Sequence, residues 1–231
     1  LLAALGEKRA VIVGHDWGAF VAWHAAFWRP DLFTAVVGMS VPWTPPGKVD
    51  MLASLEAAGI RDFYIQHFQE PGVAERELDA DPLVSLRRIY YSTSGESRAK
   101  GGGFGRLVGG TLLGNTADTD ILPAWLPQEH LDDMAEAFRR SGFRGGLNWY
   151  RNMRRNWRLG QVWRGCVIAQ PALFIAGSRD GVLRFPASMA QIEAYPKTLP
   201  GCRGVHILDG AGHWIQQERA EEVSRLVVDF L

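Results

Sequence analysis

Three positions in this 231-residue chain are of types that do nucleophilic chemistry together. They are Asp16, Asp180 and His213, in that order. Each follows an apolar run and sits among glycines: Gly14-His15-Asp16-Trp17-Gly18, Gly177-Ser178-Arg179-Asp180-Gly181, and Asp209-Gly210-Ala211-Gly212-His213-Trp214. A carboxylate can act as nucleophile, a histidine as the base that deprotonates water, and a second carboxylate as the group that orients the histidine and stabilises its cation. Singly, each residue has a plainer reading. Asp is a preferred helix N-cap, Asp before Gly forms turns, and a loop histidine is commonly a surface group. Their joint placement after apolar runs is what points to a triad.

An aspartate nucleophile narrows the reaction. A serine attacking a saturated carbon would form an ether, which water does not readily cleave. A carboxylate attacking the same carbon forms an ester, and water activated by His213 can hydrolyse that ester at its carbonyl. Asp16 therefore predicts displacement at carbon, of an epoxide or an alkyl halide, rather than acyl transfer.

The elements that must position these groups are legible. Arg9 to His15 is apolar without alternation, which predicts a central parallel strand. Trp17 to Phe27 favours helix and ends before Pro30. Leu32 to Val41 predicts a second buried strand, giving a βαβ unit. The order strand, one-residue turn, helix matches the nucleophile elbow of α/β-hydrolases, with Asp16 where a serine usually stands. The flanking Gly14 and Gly18 are expected where side chains would clash between strand and helix. Past Cys166 the pattern returns. Pro171 to Ala176 and Gly204 to Leu208 predict strands, Pro186 to Tyr195 a helix with proline in its first turn, and Val223, Leu226, Val227, Phe230 and Leu231 one face of a last helix.

Between these halves, three prolines from Pro42 to Pro46 mark a boundary. Helical periodicity follows in Asp50 to Ala58, Asp81 to Tyr91 and Gln128 to Arg140, with a Trp-rich run from Trp149 to Trp163. The expected organisation is an α/β core, residues 1–46 and 165–231, interrupted by a helical cap, residues 47–164. The glycines around Lys100 to Arg106 fit neither GxGxxG nor a loop ending in Lys-Ser/Thr, and read as a mobile loop rather than a phosphate cradle. The chain opens Leu1-Leu2-Ala3-Ala4-Leu5-Gly6 without Met, like a helix already under way. The first strands of the core, and any targeting signal, are expected to lie upstream.

Bulk composition excludes some classes. Formal net charge is zero, without long runs of one sign, which argues against nucleic acid or anionic membrane as the main partner. No stretch is long and apolar enough to span a bilayer. Cys166 and Cys202 are far apart, without ligand spacing, and read as free thiols of a reducing, cytoplasmic compartment. No metal or cofactor is expected.

Two further segments specify the reaction by resemblance. Tyr64-Ile65-Gln66-His67-Phe68-Gln69-Glu70-Pro71-Gly72 and Gly146-Leu147-Asn148-Trp149-Tyr150-Arg151-Asn152 resemble the two cap motifs of α/β-hydrolase-fold epoxide hydrolases, the soluble vertebrate and plant type with bacterial relatives. The likeness extends through Phe138 to Asn156, Gly14 to Gly18 and Gly212 to Trp214. It implies that Asp16 is the nucleophile, Asp180 the charge-relay acid and His213 the base. It implies also that Tyr64 and Tyr150 hydrogen-bond the epoxide oxygen as the ring opens. A phenol is a competent neutral donor for a developing alkoxide. The backbone N–H of Trp17 maps to half of the oxyanion hole; the other half comes in the family from an upstream His-Gly-x-Pro loop. His15 reads as structural, and Phe68, Trp149 and Trp214 as pocket-lining. The implied substrates are a small apolar epoxide and water. A haloalkane dehalogenase, and a catalytically silent ligand-binding chain, are the alternative readings.

Overall fold

A computed structural model describes residues 1–97, 105–185 and 187–231. The chain divides into two compact units, residues 1–46 with 163–231, and residues 47–162.

The first unit is built on a four-stranded parallel sheet: β1 (Ala10–His15), β2 (Phe33–Met39), β3 (Ala172–Gly177) and β4 (Cys202–Leu208), in spatial order β1-β2-β3-β4. Helix α1 (Trp17–Trp28) makes the crossover from β1 to β2. β3 is buried at every position, as an interior strand with both faces covered requires. Its alternate residues feed two cores. Ala172, Phe174 and Ala176 pack with Ala19, Ala22, Trp23 and Ala26 of α1 on one face. Leu173 and Ile175 pack with Val37, Ile215 and Val223 on the other. The small residues of α1 recur at helical spacing and bring it close to the sheet, while Trp23 fills the remaining space and donates its indole N–H to the Val41 carbonyl at 3.0 Å. Gly38 leaves room for that indole: a methyl group there would overlap it.

Among the described residues β1 stands at one end of the strand order, and its Val13 is 47% exposed. Two expectations need correction. The helix expected over Pro186 to Tyr195 is two short helices, Ser188–Glu193 and Tyr195–Thr198. Pro196 has no N–H to continue the first ladder; Pro186 lies outside the described residues. The expected clash at Gly18 is absent, since a methyl group there meets nothing within 4 Å. The steric demand falls on Gly14, where a methyl group would overlap the Gly18 carbonyl.

The second unit is helical: Met51–Ala57, Tyr64–His67, Val73–Leu78, Pro82–Thr93, Gln128–Ser141, Arg144–Arg151 and Met153–Gly160. Asp50 and Asp81 cap two of these, accepting the N–H of Ala53 at 2.9 Å and of Val84 at 3.1 Å. Leu78, Leu86, Leu131, Ala135, Phe143 and Leu147 are buried. The glycine-rich stretch beginning at Lys100 lies outside the described residues up to Phe104. Among the described residues, no helix is long and apolar enough to cross a membrane, and Cys166 and Cys202 are free thiols.

Candidate active site

The junction of β1 and α1 leaves one residue, Asp16, to reverse the chain. Its backbone takes φ 51° and ψ −121°, a conformation that costs a non-glycine residue about 1–3 kcal/mol. Among the described residues, Asp16 and Ser40 are the two non-glycine positions with positive φ. Asp16 makes no side-chain capping bond, so the N-cap reading does not account for it. Its carbonyl instead accepts the N–H groups of Ala19 (3.0 Å) and Phe20 (3.2 Å). The carboxyl is left one-third exposed, at 34%.

β3 and β4 end beside each other, and their loops are stitched together. Ser178 donates its N–H to the Leu208 carbonyl and Arg179 to that of Ala211, both at 2.9 Å. Gly177 allows this approach, because a methyl group there would overlap the Ala211 and Gly212 carbonyls. The result places Asp180 against His213, with Asp180 Oδ1 3.3 Å from His213 Nδ1. The opposite ring nitrogen, Nε2, lies 3.7 Å from Asp16 Oδ1. Asp180 is 1% exposed and accepts the Val182 N–H at 2.9 Å.

The ionisation of the pair follows from this geometry. Burial opposes the Asp180 charge, but the facing His213, the Ser40 hydroxyl and the Val182 N–H outweigh it and hold the carboxyl below its ordinary range. Burial would push His213 down. The charge and hydrogen bond of Asp180, then the charges of Asp16 and Glu218, outweigh that and raise the imidazole above its ordinary value. His15 goes the other way: burial, then the neighbouring His213, push it down to about 4. The His15 ring is thus neutral near pH 7, and its Nε2 lies 2.7 Å from the His213 carbonyl oxygen.

Two residues at this site have no place in the motifs. Ser40, fully buried at the end of β2, has its Oγ 3.0 Å from His213 Nδ1. Glu218 accepts the N–H groups of Gly212 and Trp214. No sequence signal marked Ser40, because the expected strand ran from Leu32 to Val41 and enclosed it, whereas β2 ends at Met39. The Trp214 ring stands 4.9 Å from that of His213, and Trp17 opens α1 with its ring against Phe20.

In the helical unit the two tyrosines are neighbours. The rings of Tyr64 and Tyr150 lie 5.6 Å apart, edge to face, and Phe68 contacts both, at 5.5 and 4.9 Å. Arg151 ties their segments together. It donates to the Phe68 carbonyl at 2.9 Å and pairs with Glu75 at 2.8 Å. That hydrogen-bonded pairing holds the Glu75 carboxyl down to about 2. Gln69 adds a bond to the Tyr150 carbonyl at 3.2 Å. Trp149 is set apart from this cluster by its 46% exposure.

The chain is similar to known proteins over its whole length. The Alpha/beta hydrolase family model matches residues 1–226. The chain is 40% identical to Epoxide hydrolase A of Mycobacterium tuberculosis, all of it matching 71% of that protein. It is 39% identical to an epoxide hydrolase of Caballeronia sordidicola, all of it matching 69%. Among solved structures, an epoxide hydrolase from an endophytic Streptomyces superposes with a TM-score of 0.93 at 41% identity, over 99% of this chain and 70% of that one.

Proposed function

We propose, since this chain belongs to the alpha/beta hydrolase family and within it to the epoxide hydrolases, that it opens epoxides to vicinal diols through a covalent Asp16 ester. In this reading residues 1–46 and 165–231 form the core that carries the triad, and residues 47–164 the cap that carries two phenols. A small apolar epoxide and water are the substrates. The relatives named above do not favour haloalkane dehalogenation.

The first step is displacement. An Asp16 carboxylate oxygen attacks a ring carbon, the carbon–oxygen bond of the ring breaks, and the oxygen keeps the electron pair. Tyr64 and Tyr150 donate hydrogen bonds to that oxygen, and one phenol supplies its proton. The product is a hydroxyalkyl ester of Asp16. In the second step His213 takes a proton from water, and the hydroxide adds to the ester carbonyl. The Trp17 backbone N–H holds the resulting oxyanion. The alkyl oxygen leaves as the second alcohol, taking the proton of the hydroxyl that added, the Asp16 carboxylate is restored, and the proton on His213 returns through water to the phenolate left by the first step. One water is consumed and one diol formed.

The single observation that supports this most strongly is the line of His213, which faces Asp180 at 3.3 Å through Nδ1 and Asp16 at 3.7 Å through Nε2. Only that arrangement lets one imidazole deprotonate water beside a carboxyl ester while a buried carboxylate stabilises its cation. The test is one turnover with excess protein in heavy-oxygen water, with styrene oxide as probe. Label in the Asp16 carboxyl, and none in the first diol, is expected. Label in the first diol with none in Asp16 would mean direct attack by water and would reject the ester.

A further inference from the structure

We propose that Ser40 is a positioning residue for His213: its hydroxyl shares the Nδ1–H with Asp180 and so sets the tautomer and tilt in which Nε2 faces Asp16. The inference rests on the covalent-ester reading above, but one arm of its test does not.

The backbone at Ser40 is the first observation. φ is 69°, and the Val41 N–H donates to the Met39 carbonyl at 2.8 Å, closing a three-residue turn around Ser40. A turn of this kind with positive φ at its centre is the rare, strained γ-turn. Glycine would occupy it at lower cost. A serine held there, with its side chain fully out of solvent, is a strained polar group whose partners must account for it. The turn is also anchored to the other catalytic strands. The Ser40 N–H donates to the Ile175 carbonyl of β3 at 2.9 Å, and the same Met39 carbonyl accepts the Asp16 N–H at 3.2 Å. One carbonyl therefore ties the backbone of the nucleophile to the turn that aims Ser40.

The hydroxyl geometry is the second observation. Ser40 Oγ stands 3.0 Å from His213 Nδ1, closer than Asp180 Oδ1 at 3.3 Å. The neutral ring has one N–H to give, so an Nδ1–H pointing here is shared between the two oxygens. The hydroxyl's own proton is then free for the Asp180 carboxylate, which the Ser40 hydroxyl helps to keep ionised. Two acceptors on the Nδ1 side favour the tautomer whose Nε2 is bare, the form able to take a proton from water. This matters most after alkylation, when Asp16 has become a neutral ester and no longer attracts the ring from the Nε2 side.

The test uses the full chain with Ser40→Gly, which removes the hydroxyl and relieves the turn, and Ser40→Ala as a second variant. Nitrogen-15 spectra of the histidine rings, with His213 assigned by its loss in His213→Gln, read the tautomer without any epoxide. The variants should show the Nδ1–H proton moved upfield and a second, Nε2–H tautomer; a His213 spectrum unchanged in both would overturn the proposal. Rapid-quench kinetics with styrene oxide should show ester hydrolysis slowed roughly ten- to a hundredfold, the range of a lost bond to a charged partner, with ester formation changed less than about threefold. Ser40→Asn, which tolerates positive φ and restores a polar partner, should recover part of the hydrolysis rate. Wild-type hydrolysis rates in Ser40→Gly would overturn the proposal. If the wild-type protein forms no ester, the epoxide reading fails while the spectra still decide the role of Ser40.

Discussion

Glu218 grips the chain on both sides of His213: its carboxylate accepts the Gly212 N–H at 2.8 Å and the Trp214 N–H at 3.0 Å. The His213 carbonyl lies 2.7 Å from His15 Nε2. The backbone of the proposed base is thus held by side chains from two elements, β1 and the short helix Ile215–Glu218. A Gly-rich loop would otherwise be free to wander, and displacements of about 1 Å at a reacting group can cost on the order of a hundredfold in rate.

Removing that grip should loosen the second chemical step. Glu218→Ala leaves two N–H groups without their carboxylate, at a cost on the order of 1–3 kcal/mol. The expected outcome is a lower melting temperature and slower hydrolysis of the Asp16 ester, with ester formation nearly unchanged. Glu218→Gln keeps one acceptor oxygen and should fall between. Thermal melts and rapid-quench trapping of the ester check this; equal loss in both half-reactions would place Glu218 elsewhere in the cycle.

The strain at Asp16 is open to a comparison of two inactive variants. Asp16→Ala and Asp16→Gly both remove the nucleophile, so neither should form ester. They differ in how well they accept φ 51° and ψ −121°. A Cβ in left-handed backbone costs about 1–2 kcal/mol, offset in part by the extra unfolded-state freedom of glycine. Asp16→Gly should therefore be the more stable of the two by about 1 kcal/mol in urea melts. Equal stability would mean that the turn carries no strain.

What was legible in the sequence divides along physical lines. β2, β3, β4, α1 and the long helical-unit elements followed from continuous apolar runs and 3.6-residue periods, which survive any tertiary context. The helices Tyr64–His67 and Val73–Leu78 are too short to show a period. Asp16, Asp180 and His213 stood out because each follows an apolar run and sits among glycines. Ser40 did not, since a serine forced to positive φ leaves no mark in Met39-Ser40-Val41. Glu218 was hidden because its reach back to Gly212 and Trp214 depends on a single turn of helix. The adjacency of Tyr64 and Tyr150, 86 residues apart in number (150 − 64), came from motif resemblance and not from any pattern of spacing.

Phenol donors can be removed without disturbing their packing. Tyr64, Phe68 and Tyr150 form an aromatic cluster, and Phe fills the volume of Tyr. Tyr64→Phe or Tyr150→Phe should slow ester formation by roughly a hundredfold, the typical loss of one donor to a developing oxyanion. The double variant should lose ring opening while keeping its melting temperature. Single-turnover trapping of the ester is the measurement, and full activity in the double variant would remove both tyrosines from the reaction.

Proton occupancy of His213 should change within the cycle itself. In the resting protein the ring stands above its ordinary value of 6.5. Burial lowers it, but Asp180, Asp16 and Glu218 outweigh that. Alkylation turns Asp16 into a neutral ester and deletes one of the raising charges, so the ring should titrate lower in the ester than in the free protein. A base must be neutral, so ester hydrolysis should rise with pH through this lower value. The midpoint of its acid limb in single-turnover experiments is expected below the His213 midpoint seen by NMR in the resting protein. Asp16→Asn, which mimics the uncharged ester, should move the NMR midpoint down in the same direction. Linkage then separates the two neighbouring histidines. The raised His213 contributes stability that is full below pH 6.5 and lost as pH climbs through its folded value. His15, pushed down to about 4, contributes stability that is full above pH 6.5 and lost as pH falls towards 4. Urea melts from pH 4 to 8 should therefore show a loss of stability on the acid side that His15→Gln reduces, and a midpoint for Asp16→Asn no lower than wild type would refute the charge coupling on which the argument depends.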